Sequence, residues 1–110
     1  HILLQQLSVM MSSKLVRDKI PEITAAQGKA YRFNIASKDE MLDLLIHKLQ
    51  EETSEFIEDN NAEELADILE VVLSLASEIG IDESELLEIM KKKRERNGGF
   101  SKGIVMEKNC

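Results

Sequence analysis

One apolar stripe along the chain is interrupted by an acid. Between residues 38 and 58, apolar side chains recur at the spacing of one face of an α-helix. Position 52 continues that face, and it is Glu52. A glutamate is therefore expected on the buried side of this helix. The apolar members of the stripe are Leu42, Leu45, Leu49 and Phe56.

Helix start and stop signals divide the chain into three long helices. They are expected over about 38–58, 61–79 and 82–97, with a shorter helix from Ile20 to Gly28. Each long helix follows a residue that caps helix N-termini and that has a glutamate three positions later. These caps are Ser37, Asn61 and Asp82.

Two short segments have β-prone sequences. YRFNI at 31–35 and GIVM at 103–106 are rich in residues that favour strands, and they could pair. The predicted fold class is all-α: a helical bundle of three long helices per chain with a minor β-ribbon.

The second long helix predicts a partner subunit. Its apolar residues cover nearly the whole circumference, which is typical of a buried helix. Two other long helices can hardly surround it, so we expect the bundle to be completed by dimerisation, in a homodimer or a higher even-numbered homo-oligomer. The apolar residues are Leu65, Ala66, Ile68, Leu69, Val71, Val72, Leu73, Leu75, Ala76 and Ile79.

Four carboxylates are expected to meet between the first two long helices. Glu55 lies three residues after Glu52, and Glu64 and Asp67 have the same spacing on the next helix. If the helices fold back across the tight turn at 59–61, Glu55 faces Glu64 and Glu52 faces Asp67. Such a cluster repels itself unless a cation neutralises it. Oxygen ligands alone favour magnesium or manganese. The alternative is an exposed acidic face, because this spacing is common on solvated helices.

Composition narrows the class of partner. The formal net charge of −7 argues against binding a nucleic-acid polymer. No segment has the pattern of a membrane span or a signal peptide.

Residues 1–13 are interpreted as an N-terminal extension, added or lying upstream of a natural start near Met10 or Met11, and 14–110 as a single domain. The one cysteine, Cys110, cannot form an internal disulfide, which favours a cytoplasmic location.

Basic residues are candidates for phosphate binding. KLVRDK at 14–19 and KKKRER at 91–96 are two basic segments, and Lys48 lies one turn before Glu52. The second segment equally suits the negative end of a helix dipole, and Lys48 could simply pair with Glu52. The candidate substrate-binding residues are Arg17, Lys48, Lys92, Lys93 and Arg96.

With these motifs in view, the chain resembles the all-α nucleotide pyrophosphohydrolase superfamily, the group of MazG and phosphoribosyl-ATP pyrophosphohydrolase. The family pattern Glu-Glu-x-x-Glu followed by Glu-x-x-Asp is matched by EETSE at 51–55 and ELAD at 64–67. KLVRDKIPEI at 14–23 and KKKRERNGGFSKGIV at 91–105 resemble the ends of the small phosphoribosyl-ATP-pyrophosphohydrolase-like branch. Eight residues separate Glu55 from Glu64, fewer than the superfamily usually has, so the room beside the site is narrower.

The resemblance implies magnesium-dependent hydrolysis of the α–β phosphoanhydride of a nucleotide. Glu52, Glu55, Glu64 and Asp67 would be the metal ligands, and Glu51 and Glu70 would be candidates for the base or for a second metal. The substrate would be a nucleoside triphosphate in a house-cleaning role, or phosphoribosyl-ATP. The rival hypothesis from a different class is a non-catalytic dimeric helical module that acts in interaction or regulation.

Overall fold

The computed structural model describes residues 14–108, and these residues form four helices and no strand. The helices are α1 (Ile20–Ala26), α2 (Lys38–Asp59), α3 (Ala62–Glu78) and α4 (Glu83–Asn97). The predicted all-α class is therefore confirmed for this part of the chain. The proposed N-terminal extension at 1–13 and Cys110 lie outside the described residues.

The long helices begin at the predicted caps. The Ser37 hydroxyl accepts the backbone N–H of Glu40 at 3.3 Å, and the Glu40 carboxylate accepts the Ser37 N–H at 3.0 Å. These hydrogen bonds lower the pKa of Glu40, since they favour its charged form. The side-chain oxygens of Asn61 and Asp82 each accept the amide N–H three residues later, at 3.0 and 2.8 Å.

A single left-handed residue reverses the chain between α2 and α3. Asn60 has φ of 50°, a conformation that asparagine tolerates better than most residues. Its amide N–H donates to Phe56 O at 2.8 Å and so closes the last turn of α2. The sharp reversal leaves α2 and α3 packed side by side, and this pair is the main helix contact of the described chain.

The core of the described chain is small. Within residues 14–108, the buried apolar residues are Leu45 on α2 and Val71 and Ala76 on α3, with 4%, 7% and 5% of their surface exposed. Helix α4 contacts α3 only over a short stretch. The radius of gyration is 17.6 Å, larger than the roughly 13 Å of a compact domain of this length. Many large apolar side chains also remain exposed to solvent.

The predicted β-ribbon is not confirmed. Residues 31–35 and 103–106 are irregular, and neither segment pairs with another as a strand. Both are exposed, and Ile35 and Ile104 have 96% and 84% of their surface open to solvent. A two-stranded ribbon is marginal in water unless it packs on a supporting surface, and these exposed segments are not packed on one.

Within residues 14–108, every helix is too short or too polar to cross a membrane.

Candidate metal-binding site

Three carboxylates converge where α2 faces α3. One carboxylate oxygen each from Glu52, Glu64 and Asp67 lies within 4.8 Å of the other two. Glu52 comes from α2, whereas Glu64 and Asp67 lie one turn apart at the start of α3. The antiparallel packing across the Asn60 turn therefore brings together residues from both acidic motifs.

Glu52 lies in the buried seam, as its position in the apolar stripe predicts. Only 7% of its surface is exposed, and its Oε2 is buried with no hydrogen-bond donor. Burial is the largest cause that raises the pKa of Glu52, and repulsion from Glu55 raises it further. A buried carboxylate with an unsatisfied oxygen is costly unless a positive charge reaches it.

Glu55 lies one turn after Glu52 on α2, beside the cluster. Glu64 Oε2 is buried without a hydrogen-bond donor. Partial burial raises the pKa of Glu64 most, and the neighbouring Glu55 carboxyl group raises it further. Glu55 is outside the group of three oxygens within 4.8 Å, so it borders the centre that Glu52, Glu64 and Asp67 form.

Two cations contact the cluster. Arg17 Nη2 lies 2.7 Å from Asp67 Oδ1, and Lys48 Nζ lies 3.5 Å from Glu52 Oε1. The Lys48 side chain is largely buried on α2, whereas the Arg17 side chain is 57% exposed. Arg17 belongs to the irregular segment that precedes α1. Its contact with Asp67 therefore brings this N-terminal segment to the acidic motif of α3.

The two candidate bases have different surroundings. Glu51 is held by lysines: its Oε2 lies 3.5 Å from Lys48 Nζ and its Oε1 lies 3.9 Å from Lys14 Nζ. Glu70 is exposed and lines a cavity together with Glu52 and Asp67. Glu70 is therefore the candidate base that faces open space beside the cluster.

The cavity beside the carboxylates has a volume of about 330 Å³. Its charged lining residues are Arg17, Asp18, Lys48, Glu52, Asp67 and Glu70. The volume lies at the lower end of the range for small-molecule sites. Its apolar lining residues are Leu15, Val16, Met41, Leu45 and Val71.

Leu15 and Val16 are site residues that the sequence pattern does not indicate. They lie in a segment without helical periodicity, so nothing in their spacing predicts which surface they cover. Lys92, Lys93 and Arg96, in contrast, are predicted phosphate ligands that the structure does not bring to the cavity. They are exposed on α4, and within residues 14–108 no ion pair connects them to the acidic cluster.

The cluster has the donor set that a hard divalent cation requires. All its ligand atoms are carboxylate oxygens, the type that magnesium and manganese prefer. Buried oxygens of Glu52 and Glu64 lack a hydrogen-bond donor, so a cation would satisfy atoms that the described protein leaves unpaired. The residues present therefore fit the predicted metal.

No family model, curated protein or solved structure matches the chain. The resemblance to the nucleotide pyrophosphohydrolases therefore rests on the motifs at 51–55 and 64–67 and their flanking segments, and it stays a prediction.

Proposed function

We propose that the protein is a magnesium-dependent nucleotide pyrophosphohydrolase that releases a nucleoside monophosphate and pyrophosphate. The observation that carries the proposal is the convergence of Glu52, Glu64 and Asp67 within 4.8 Å around a buried, unsatisfied Glu52 oxygen. Exposed acidic faces seldom bury a carboxylate in this way, because desolvation opposes it. The motifs at 51–55 and 64–67, which resemble those of the family, point to the same chemistry.

Glu52, Glu64 and Asp67 would hold the magnesium ion, with manganese as a substitute and Glu55 beside them. When bound, the ion would supply charge neutralisation and orientation for the substrate phosphates. Asp67 and Glu64 are fixed by the first turns of α3, and Glu52 is fixed by the packed seam of α2. This rigidity favours a constant ligand geometry.

Cationic side chains of the cavity would bind the phosphates. Arg17 and Lys48 both line it, and a guanidinium can contact two phosphate oxygens at once. Lys48 also lies 3.5 Å from Glu51, so Glu51 would orient this lysine more readily than it would remove a proton from water. We assign the phosphate contacts to these two cations, because Lys92, Lys93 and Arg96 do not line the cavity.

Glu70 is the better placed of the two candidate bases. It lies on the cavity wall near Glu52 and Asp67, and its carboxylate can accept a proton from a water molecule there. Water would attack one phosphorus of the α–β phosphoanhydride, and its proton would pass to the Glu70 carboxylate. The bond between that phosphorus and the bridging oxygen would break, which gives the monophosphate and pyrophosphate.

A second copy of the chain would complete the helical bundle. Leu65 and Leu69 on α3 remain 50% and 55% exposed, a surface that soluble proteins usually cover. They lie on the side of α3 away from the cavity-lining residues Asp67 and Glu70, so a partner on this face would support the site through the position of α3. The substrate is a nucleoside triphosphate or phosphoribosyl-ATP.

Pyrophosphate release tests the proposal. The wild-type chain is incubated with a panel of canonical and damaged nucleoside triphosphates and with phosphoribosyl-ATP, with magnesium or with EDTA. We expect magnesium-dependent release from at least one of them and equimolar monophosphate. A chain that binds no metal and cleaves none of the panel would instead be the non-catalytic helical module.

A further inference from the structure

The ion pair between Arg17 and Asp67 lies at the candidate metal site. Arg17 Nη2 is 2.7 Å from Asp67 Oδ1, and Asp67 is one of the three carboxylates in the candidate metal site. A metal ligand is thus already occupied by a positive side chain of the same protein. The two cations on the cluster, Arg17 and Lys48, together carry the charge of one divalent ion.

The two cations differ in how firmly they are held. Lys48 projects from the middle of α2, its side chain is 18% exposed, and it contacts both Glu51 and Glu52. The side chain of Arg17 is 57% exposed on an irregular segment, and Asp67 is its one ion-pair partner within residues 14–108. Exposed ion pairs contribute little to stability, so the Arg17 contact can be exchanged at low cost.

We infer that Arg17 is a displaceable counter-ion: it neutralises Asp67 in the metal-free protein and moves to the substrate phosphates when a divalent cation binds. This inference rests on the proposed function, because it requires the carboxylate cluster to bind a metal. Arg17 lines the same cavity as Glu52 and Glu70, so its guanidinium need only change partners within that cavity.

The exchange would couple the two binding events. While Arg17 occupies Asp67 it competes with the metal, and a phosphate that attracts the guanidinium removes this competition. Metal and phosphate would then each raise the affinity for the other, as linkage requires. Without phosphate, Arg17 would keep Asp67 neutralised and lower the affinity of the cluster for cations.

Metal-free protein provides the first test. Manganese binding is measured by calorimetry for wild type, Arg17→Gln and Lys19→Gln. Lys19 is exposed two residues away, so its variant removes the same charge from the same segment without touching Asp67. We expect Arg17→Gln to bind manganese about twofold to fivefold more tightly, and Lys19→Gln to stay within about 1.5-fold of wild type.

Phosphate binding provides the second test. Inorganic pyrophosphate is titrated into each protein at saturating magnesium. Arg17→Gln should bind it several-fold more weakly, the opposite direction from its effect on manganese, and Arg17→Lys should restore part of this affinity. A residue with a merely structural role would not strengthen one ligand and weaken the other.

The outcomes separate the inference from the proposed function. If wild type binds manganese and Arg17→Gln binds it equally or less tightly, the exchange is overturned while the metal site stands. Unchanged pyrophosphate affinity would overturn the transfer of Arg17 to phosphate. If no variant binds manganese, the metal site fails, and the exchange fails with it.

Discussion

A carboxylate oxygen of Glu64 on α3 lies within 4.8 Å of one of Glu52 on α2, so two acidic groups face each other across the antiparallel helices. Burial raises the pKa of both carboxyl groups, and the neighbouring Glu55 raises both further. A raised carboxyl pKa means that the folded protein holds a proton more firmly than the unfolded chain. The stabilisation is present below the ordinary value of 4.5 and is lost as the pH rises through the folded pKa.

The first prediction concerns this pH dependence. Glu64→Gln removes a partly buried charge that lies beside other carboxylates. In EDTA, its melting temperature should match that of wild type near pH 4 and exceed it increasingly as the pH rises above 4.5. Thermal unfolding across this range measures the difference. Glu63→Gln, exposed on the same first turn of α3, is the control and should show no such increase.

The second prediction concerns the metal. Magnesium or manganese should raise the melting temperature of wild type at pH 7, because an ion that binds only the folded state stabilises it. The shift should shrink as the pH falls toward 4.5, since protons compete for Glu52 and Glu64. Asp67→Asn should abolish most of the shift. An equal shift in both proteins would exclude Asp67 as a ligand.

The third prediction separates catalysis from stability at one position. Glu52→Gln keeps the shape of the side chain but removes a buried charge, so pyrophosphate release should fall by orders of magnitude. The metal-free variant should melt at the same or a higher temperature, because desolvation and repulsion are relieved. Glu58→Gln, on the same helix but exposed, should retain full turnover. Normal turnover in Glu52→Gln would remove Glu52 from the site.

The starts of the helices and the pairing of acidic residues between α2 and α3 could be predicted from the sequence, because residues close together in the chain determine both. Ser37, Asn61 and Asp82 cap their helices through side-chain oxygens, and such caps depend on residues only three positions away. The short turn at Asn60 then leaves little freedom in pairing α2 with α3. Glu52 consequently meets Asp67, together with Glu64.

Contacts between residues that lie far apart in the sequence were harder to predict. Arg17 lies 50 residues from Asp67, and no period connects an irregular segment with a helix face. The segments 31–35 and 103–106 have strand-like composition, but strand formation depends on packing against other elements, and both segments are exposed. The same limit applies to Lys92 and Lys93, because the position of α4 depends on sparse contacts with α3.

The last prediction tests the partner subunit. Leu69 is 55% exposed on α3, so a glutamate there would be solvated in a single chain and would disturb its fold little. In a dimer packed on this face, the same glutamate would be buried without a partner, at a cost large enough to separate the subunits. Light scattering should therefore give an even multiple of 12.5 kDa for wild type and a single-chain mass for Leu69→Glu, with loss of pyrophosphate release. Leu87→Glu, at a comparably exposed position on α4, is the matched control and should remain assembled and active. A fully active wild-type monomer would show that the uncovered face of α3 plays no part in the site.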